Sequence, residues 1–491
     1  MITPGFEGLS QVCCIPPDIQ LAAGSKYVME TVNSEAAIYT KTGSLIKKFG
    51  LEYLFNLPSR ELSDSHSLTD PVLLFDSTAN DNGSNSSNGN HNNSNRWFAS
   101  ISDVTTHSIR IAVSKTNDPT GVWRTYNFPF ESLSNNCSDQ PFIGVSDDKL
   151  VIGVNTWGND CVWLDNNGNT MISPKFRGAQ FVVADKHDLL AEQVAVASTA
   201  HIKAMQSFPN TNYFSLRPAF TLSPTTALFL LTTDAFNHDK VQILAIDGRL
   251  SNLHINRSIS GNIHTTNISP DGIQPITFAA NNNNNNPKII NDSSSRQLSG
   301  EEKQAVLATV KENHPEYFVH TGDARVQSPI WYRGKLWFAL NVGCFINGDT
   351  QSRSCIRVIE FDTNSSKVIL DFNIGDIGAS LYYPALSIDK AGNNIGMIFG
   401  YSSSDTYPSV LIAAGSAKNN VSNSLMYFEF LKNGTANSLS TRYGDYFSAV
   451  LDPSEPNSIW VAGQYYYYRS SESALLWSTY IGKIKVEHGR H

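Results

Sequence analysis

Residues 382–401 read YYPALSIDKAGNNIGMIFGY, and this short stretch carries the pattern that decides the fold. A proline opens an apolar strand, a turn rich in Asp, Gly and Asn follows, and a second apolar strand completes a hairpin. Six other segments repeat this arrangement, and most copies are followed by a third strand such as SIRIAVSK or CIRVIEFDT. The six are residues 15–33, 69–102, 138–157, 216–233, 326–343 and 443–466.

Seven copies in 491 residues give about 70 residues for each unit, which suits a four-stranded blade with generous loops. The pattern therefore predicts an all-β fold: one seven-bladed β-propeller of four-stranded antiparallel blades, formed as a single domain by residues 1–491. The prediction requires that one residue of each copy occupies a matching place in its blade. Those residues are Pro17, Pro71, Pro141, Pro218, Pro329, Pro384 and Phe447.

Two polar tracts interrupt the units, at residues 78–95 and 279–298, and consist largely of Asn and Ser. A ring of blades tolerates long hairpin tips, because each doubling of loop length adds only about 0.6 kcal/mol of closure entropy. Both tracts are predicted to be disordered or flexible insertions. After the second tract, Ser299 and Glu302 have capping-box spacing, which predicts a short peripheral helix at about residues 300–313.

The composition excludes two classes of partner. The formal charge of −8 provides no basic surface for a nucleic acid, and no apolar stretch reaches the roughly 18 residues that would span a bilayer.

Only 16% of residues are charged, while Asn, Ser, Thr and Gly supply much of the polarity. This balance favours strands and turns over exposed helices.

Sequons and cysteines suggest a secreted or cell-surface glycoprotein. Disulfides are predicted for the pairs Cys344–Cys355 and Cys137–Cys161, whereas the partners of the adjacent Cys13 and Cys14 stay open. The first ten residues, MITPGFEGLS, show no signal peptide, so an export signal is expected to have been removed. An Asn- and Ser-rich chain also forms sequons by chance. The candidate glycosylation sites are Asn82, Asn85, Asn92, Asn136, Asn256, Asn267, Asn291, Asn364, Asn420 and Asn433.

The first unit, PPDIQLAAGSKYVMETVNSEAAIYTKTG, resembles the opening of a group of secreted, mostly uncharacterised seven-bladed β-propellers of bacteria and archaea. The resemblance continues through DPVLLFDS, RWFASISD and SKTNDPTGVW to YGDYFSAVLDPSEPNSIWVAGQYY, and so covers nearly the whole chain. It implies the propeller architecture and no particular activity, since the fold hosts many functions.

The same group is distantly similar to sialidase-like propellers, and this chain departs from true sialidases in two ways. Their S-x-D-x-G-x-x-W turn is approached only by Ser387, Asp389 and Gly392. Their substrate carboxylate is held by an arginine cluster, to which Arg217 and Arg442 could contribute here without a third equivalent arginine.

The first strand of each blade lines the central channel of a propeller, so residues just before it gather at one mouth. The alignment of the units places a ring of polar side chains there, and such a ring can grip a sugar or hold a cation such as Ca²⁺. The alternative is a purely structural role, in which an Asp near a Pro starts a turn by accepting a backbone hydrogen bond. The candidate ligand-binding residues are Asp70, Asp139, Arg217, Gln327, Tyr383, Arg442 and Asp445.

Two further features are open to two interpretations each. Tyr465 to Tyr468 could form an aromatic rim for a ligand, or could pack between the last blade and the first. Asp165, Asn167 and Asn169 have the alternating spacing of a calcium loop but lack its glycine and its later glutamate, so a hairpin tip is favoured and no metal is assigned.

Two functions follow from the sequence. The leading hypothesis is a secreted or cell-surface propeller that binds a carbohydrate or a protein partner at the channel mouth. The alternative is a sialidase-like glycoside hydrolase, in which Asp70, Asp139 and Asp445 are the candidate catalytic acids. The leading hypothesis needs no enzyme activity and no cofactor.

Overall fold

Residues 379–403, which include the stretch quoted first, form two antiparallel strands of a four-stranded sheet in the computed structural model. Six other sheets of four or five strands repeat this arrangement along the chain. The structure describes residues 2–57, 68–77, 95–104, 106–129, 136–158, 175–191, 202–209, 213–234, 240–248, 252–256, 263–264, 272–273, 318–417, 427–438, 443–471 and 474–486.

The first three blades follow one another along the chain, after an N-terminal strand, β1, that spans Ile2–Ser10. Blade 1 consists of β2 (Gln20–Ala23), β3 (Tyr27–Thr31), β4 (Glu35–Thr40) and β5 (Leu45–Gly50), and the helical turn α1 (Leu51–Leu54) follows it. Blade 2 consists of β6 (Leu68–Asp76), β7 (Arg96–Asp103), β8 (Ser108–Ser114) and β9 (Trp123–Pro129). Blade 3 consists of β10 (Asn136–Val145), β11 (Lys149–Gly158), β12 (Lys175–Asp185) and β13 (Ile202–Pro209), with α2 (Lys186–Leu190) after β12.

Blades 4 and 5 carry small additional strands, and blade 7 takes up the N-terminal strand β1. Blade 4 consists of β14 (Tyr213–Pro218), β16 (Leu228–Asp234), β17 (Lys240–Asp247) and β18 (His254–Asn256); β15 (Phe220–Thr221) lies between β14 and β16, and β19 (Ile263–His264) pairs with β17. A two-stranded sheet joins β20 (Gly272–Ile273) to β21 (Phe318–Val319). Blade 5 consists of β22 (Gln327–Tyr332), β23 (Lys335–Cys344), β24 (Arg353–Asp362) and β25 (Lys367–Ile374), and β15 pairs in parallel with β22. Blade 6 consists of β26 (Ala379–Ile388), β27 (Asn394–Ser403), β28 (Ser409–Ser416) and β29 (Tyr427–Lys432). Blade 7 consists of β30 (Ser448–Leu451), β31 (Ser458–Arg469) and β32 (Ala474–Lys485), and β1 is its outermost strand.

The inner strands of the seven blades form a closed ring, so the predicted seven-bladed propeller is confirmed. β2, β6, β10, β14, β22, β26 and β30 contact one another in cyclic order, and β30 returns to β2. β1 closes the ring because it pairs antiparallel with β32 and so adds the beginning of the chain to its last blade.

Burial falls from the channel to the rim of each blade. All ten residues of β26 are buried, because an inner strand has a neighbouring blade on each side. Most residues of the outer strands β25 and β29 are exposed or half-buried. The core therefore consists of layers between adjacent blades, and hairpin tips can vary outside it.

Most inner strands contain a β-bulge near their first residues, and this bulge sets the channel geometry. In blades 2 to 6 the pairing register skips two residues at the start of the inner strand, for example between Thr69 and Val72. The first skipped residue has a left-handed backbone, which a bulge tolerates and a regular strand does not. Blade 1 has the same conformation two residues before its first paired residue. The left-handed residues are Asp18, Asp70, Gln140, Ser215, Ser328 and Tyr383.

The bulges correct the predicted alignment in two blades. In four blades the left-handed residue is followed directly by the aligned proline. In blade 1 the left-handed residue, Asp18, comes after Pro17, and in blade 4 Ser215 precedes Pro218 by three residues. Matching places are therefore held by Ile19 and Leu216, because the bulge and not the proline sets where the strand begins.

The structure describes two disulfides, of which the sequence predicts one. Cys344 and Cys355 are bonded between β23 and β24, as predicted, with their Cα atoms 5.9 Å apart. The adjacent residues Cys13 and Cys14 are bonded to each other, a pairing that the sequence left open. The side chains of the predicted pair Cys137–Cys161 lie outside the described residues.

Several other predictions fall wholly or mostly outside the described part of the chain. These are the helix at 300–313, the insertion at 279–298, residues 78–94 of the first insertion, the hairpin tip with Asp165, Asn167 and Asn169, and most of the sequons. Asn364 and Asn433 are described and exposed. Among the described residues, no helix has the length and apolar character needed to cross a membrane.

The four consecutive tyrosines of β31 serve blade packing more than a rim. Tyr465 and Tyr466 are buried, and Tyr465 donates a hydrogen bond to Glu7 of β1 at 2.8 Å. Tyr467 packs against Tyr465, whereas Tyr468 is 53% exposed. The first three rings therefore pack against the protein, but the contacts of Tyr465 and Tyr467 lie within blade 7 and not between the last blade and the first.

Candidate functional site

The residues at and just before the bulges form one mouth of the channel, and four of them are aspartates. Asp18, Asp70, Asp139 and Asp445 come from blades 1, 2, 3 and 7. Carboxylate oxygens of Asp18, Asp70 and Asp445 all lie within 4.8 Å of one another. Asp70 also forms a side-chain hydrogen bond with Asp139, so the four carboxyl groups make one connected cluster, named here the axial carboxylate cluster.

The cluster has a buried layer and an accessible layer. Asp18 and Asp70 are buried, whereas Asp139 and Asp445 are half-buried and nearer to solvent. Burial raises the pKa of Asp70 well above its usual value, and the neighbouring charges of Asp139, Asp18 and Asp445 raise it further. Burial and the neighbouring carboxylates therefore both favour the neutral form of Asp70.

Asn33 fixes the buried layer to the propeller. Its side-chain oxygen accepts a hydrogen bond from the backbone N–H of Asp70 at 2.9 Å, and its nitrogen donates to the Asp18 carboxylate at 2.6 Å. The carboxylate of Asp70 in turn accepts from the backbone N–H of Gln140 at 3.3 Å. One chain of hydrogen bonds therefore connects blades 1, 2 and 3 at the mouth.

Arg217 lies inside the channel and not at the mouth, which corrects its predicted place. It follows the left-handed Ser215 by two residues and pairs with Leu231 in the sheet. Its guanidinium stacks on the Phe142 ring at 3.6 Å, and its Nε donates to the Ser215 hydroxyl at 3.2 Å. Burial lowers the pKa of Arg217 to about 9, and among the described residues its Nη2 has no hydrogen-bond partner.

Gln327 and Tyr383 lie at the mouth as predicted, but their side chains bind other parts of the protein. Gln327 is buried and donates from Nε2 to the backbone oxygen of Asp445 at 3.0 Å. The Tyr383 hydroxyl donates to the backbone oxygen of His320 at 2.8 Å, and its ring stacks on Tyr443. Both side chains therefore support the mouth structurally, and Arg442 lies outside the described residues.

The sequence alignment missed two participants. Asp18 was hidden because the blade 1 copy was aligned on Pro17, and alignment on the first paired residue would have placed it beside Asp70. Arg325 precedes β22 and forms a two-pronged ion pair with Asp323, with both N–O distances 2.7 Å. Its guanidinium lies 5.0 Å from the Phe214 ring and is close enough to Arg217 to lower the pKa of that residue.

The spacing of the carboxylates limits the chemistry of the cluster. Glycosidases keep their two carboxyl groups about 5 to 5.5 Å apart when they retain configuration, and about 6.5 to 9.5 Å apart when they invert it. In this cluster, one carboxylate oxygen from each of Asp18, Asp70 and Asp445 lies within 4.8 Å of the other two. Carboxylate oxygens at such short range suit the binding of hydroxyl donors or of a hard cation.

No model of a known protein family matches the chain, and no curated protein matches it. Solved structures of low similarity share parts of the architecture. A chimera of apocarotenoid oxygenase (ACO) and RPE65 is 9% identical with a TM-score of 0.40, and the match covers 88% of this chain and 73% of the chimera. A hypothetical selenium-binding protein from Sulfolobus tokodaii is 10% identical with a TM-score of 0.45, with coverage of 89% and 87%.

A cobalt-substituted apocarotenoid oxygenase from Synechocystis is 8% identical with a TM-score of 0.42, and the match covers 87% of this chain and 73% of the oxygenase. At such low similarity, the activities of these proteins indicate nothing about the activity of this chain. None of the three is named as a sialidase.

Proposed function

We propose that this protein binds a carbohydrate at the channel mouth, through the axial carboxylate cluster. The observation that carries the proposal is the convergence of Asp18, Asp70, Asp139 and Asp445 from four blades on one point of the axis. The buried layer anchors the cluster, and the two half-buried aspartates face an incoming ligand.

The clustering of four carboxyl groups is energetically unfavourable for the protein alone. Like charges in partial burial destabilise one another, and ionised carboxylates can only accept hydrogen bonds. A polyhydroxylated ligand supplies several O–H donors within a few ångströms, so it satisfies acceptors that the protein alone leaves crowded. A divalent cation such as Ca²⁺ would satisfy the same oxygens by charge. A single ion that bridges the three closely spaced carboxylates would therefore compete with a glycan in any binding measurement.

The proposal also includes a location outside the cell. Two sequons, at Asn364 and Asn433, lie on exposed residues, and Cys344 and Cys355 are bonded to each other. Both features suit an oxidising exterior compartment, where glycosylation and disulfide formation occur.

The test is a calorimetric screen of a broad panel of neutral and acidic glycans, with and without Ca²⁺. At least one glycan is expected to bind, and Asp445→Asn should weaken that binding at least roughly tenfold because a charge-assisted hydrogen bond is lost. Asp371→Asn is the matched control, since Asp371 is an exposed carboxylate on the outer strand β25, paired with Arg357.

The same screen separates the alternatives. Glycan turnover that disappears in Asp70→Asn would replace the binding proposal by a glycoside hydrolase. Binding that Asp445→Asn leaves unchanged would place the ligand elsewhere on the propeller. The absence of binding to the whole panel would contradict the carbohydrate proposal.

A further inference from the structure

A cavity of about 110 Å³ lies in the channel below the axial carboxylate cluster. Inner-strand residues of six blades contribute to it, and most of its lining is apolar, including Leu74, Phe220, Ile330 and Val450. The lining extends to Ser77 and Leu451, at the ends of the inner strands opposite the carboxylates. The cavity is therefore a separate space from the acidic mouth.

Among the residues that the structure describes, Arg217 is the one charged residue in the cavity lining. It is 3% exposed, and in the described part of the chain its Nη2 donates to nothing. Removing a guanidinium from water is costly unless acceptors replace the water. Among the described residues, Arg217 has one such acceptor, the Ser215 hydroxyl, together with two aromatic faces and the more distant charges of Asp323 and Asp445. A buried, cationic N–H that borders an apolar cavity is complementary to an anion that enters that cavity.

We propose that the channel cavity binds a small organic acid, with its carboxylate on Arg217 and its short apolar chain against Leu74, Ile330 and Val450. A planar carboxylate matches the two-pronged geometry of a guanidinium, whereas a hydroxyl or an amide does not. Since water occupies about 30 Å³ in the liquid, the cavity has the volume of roughly four waters, which suits a short-chain acid.

The route of entry follows from charge. Asp139 and Asp445 repel an anion at the acidic mouth, while the opposite end of the cavity is bordered by Leu451, Leu222 and Ser77. The acid therefore enters from the end where the inner strands stop. This site takes a different ligand from the carbohydrate site and does not depend on it.

The test compares isosteric ligands on the unmodified protein by calorimetry at neutral pH. Butyrate is expected to bind and butanol and butyramide are not, since only the acid carries a negative charge that can pair directly with the Arg217 guanidinium. Arg217→Met should weaken butyrate binding at least roughly tenfold, in line with the loss of charge-assisted hydrogen bonds. Arg357→Met is the matched control, because Arg357 pairs with Asp371 on the rim of blade 5.

Val450→Phe tests the cavity without touching the guanidinium, and it is expected to abolish binding by filling the space. It also keeps the test decisive if Arg217→Met does not fold. Equal binding of butyrate and butanol, no binding of any short acid, or full binding to either variant would overturn the proposal.

Discussion

Single buried side chains in this propeller have ionisation states set by their surroundings. Glu30 on β3 is the clearest case, because it lies fully buried where blade 1 meets blade 7. Its carboxylate accepts a hydrogen bond from the backbone N–H of Leu9 at 3.0 Å and another from the Thr479 side chain. Burial outweighs both and raises the pKa of Glu30 to about 7.

Glu30 therefore makes stability depend on pH, and the sign follows from the raised value. The folded state holds the proton more tightly than the unfolded chain, so the contribution is present below about pH 4.5 and is lost as the pH rises through about 7. Glu30→Gln removes this loss. The stability of the variant relative to the parent is expected to increase by on the order of 3 kcal/mol from pH 4 to pH 8.

Denaturant unfolding of both proteins across that pH range measures the difference. Asp70 also has a raised pKa, but it is common to both chains and cancels in the comparison. Glu52→Gln, on the helical turn α1, is the control. A stability difference that stays constant with pH would contradict a raised pKa of Glu30.

At the scale of secondary-structure elements, the bulges near the start of the inner strands in blades 2 to 6 need hydrogen-bond partners from outside their own sheet. A left-handed residue leaves a backbone N–H that the sheet does not satisfy, and an Asn from the preceding blade accepts it in three places. The pairs are Asn33 with Asp70, Asn155 with Ser215, and Asn341 with Tyr383, at 2.9, 2.7 and 3.1 Å. These asparagines link adjacent blades and hold the mouth in shape.

Asn341→Ala is expected to destabilise the protein by about 1 to 3 kcal/mol, because it leaves the buried N–H of Tyr383 without its acceptor. Asn341 also donates to the backbone oxygen of Leu381, and this bond is lost as well. The midpoint of chemical unfolding measures the effect. The control, Asn373→Ala, removes an exposed Asn from β25 and should change the midpoint little, and equal effects of the two would refute the link between blades.

The bulges also show what the sequence can and cannot predict about these elements. Four prolines follow a left-handed residue directly, so the alignment on Pro71, Pro141, Pro329 and Pro384 places those strand starts correctly. Proline is suited to a bulge because it has no N–H for the ladder, but it is not required there. Ile19 and Leu216 occupy the same place without any local sequence signal. An alignment of the repeats on their prolines therefore does not identify Asp18 and places Arg217 too near the mouth.

At the scale of the whole molecule, the sequence predicts the number of blades but not how the ring closes. Seven hairpins with alternating apolar residues suffice for the architecture, because each blade can bury its faces only against its neighbours. Strand β1 supplies the outermost strand of blade 7, and nothing in MITPGFEGLS distinguishes it from an irregular N-terminus. Pairing between residues 2 and 484 is a long-range contact, which sequence periodicity does not specify.

The ring is also what creates the axial carboxylate cluster, since its members lie far apart in the chain and meet only at the axis. The most direct test of this central claim is the titration of Asp70, followed by NMR of protein labelled with ¹³C at the aspartate carboxyl groups. The pKa of Asp70 is predicted to lie well above its usual value and to fall when Asp139 or Asp445 is replaced by Asn, because a neighbouring negative charge is removed. An ordinary pKa that neither replacement changes would show that these carboxylates do not converge.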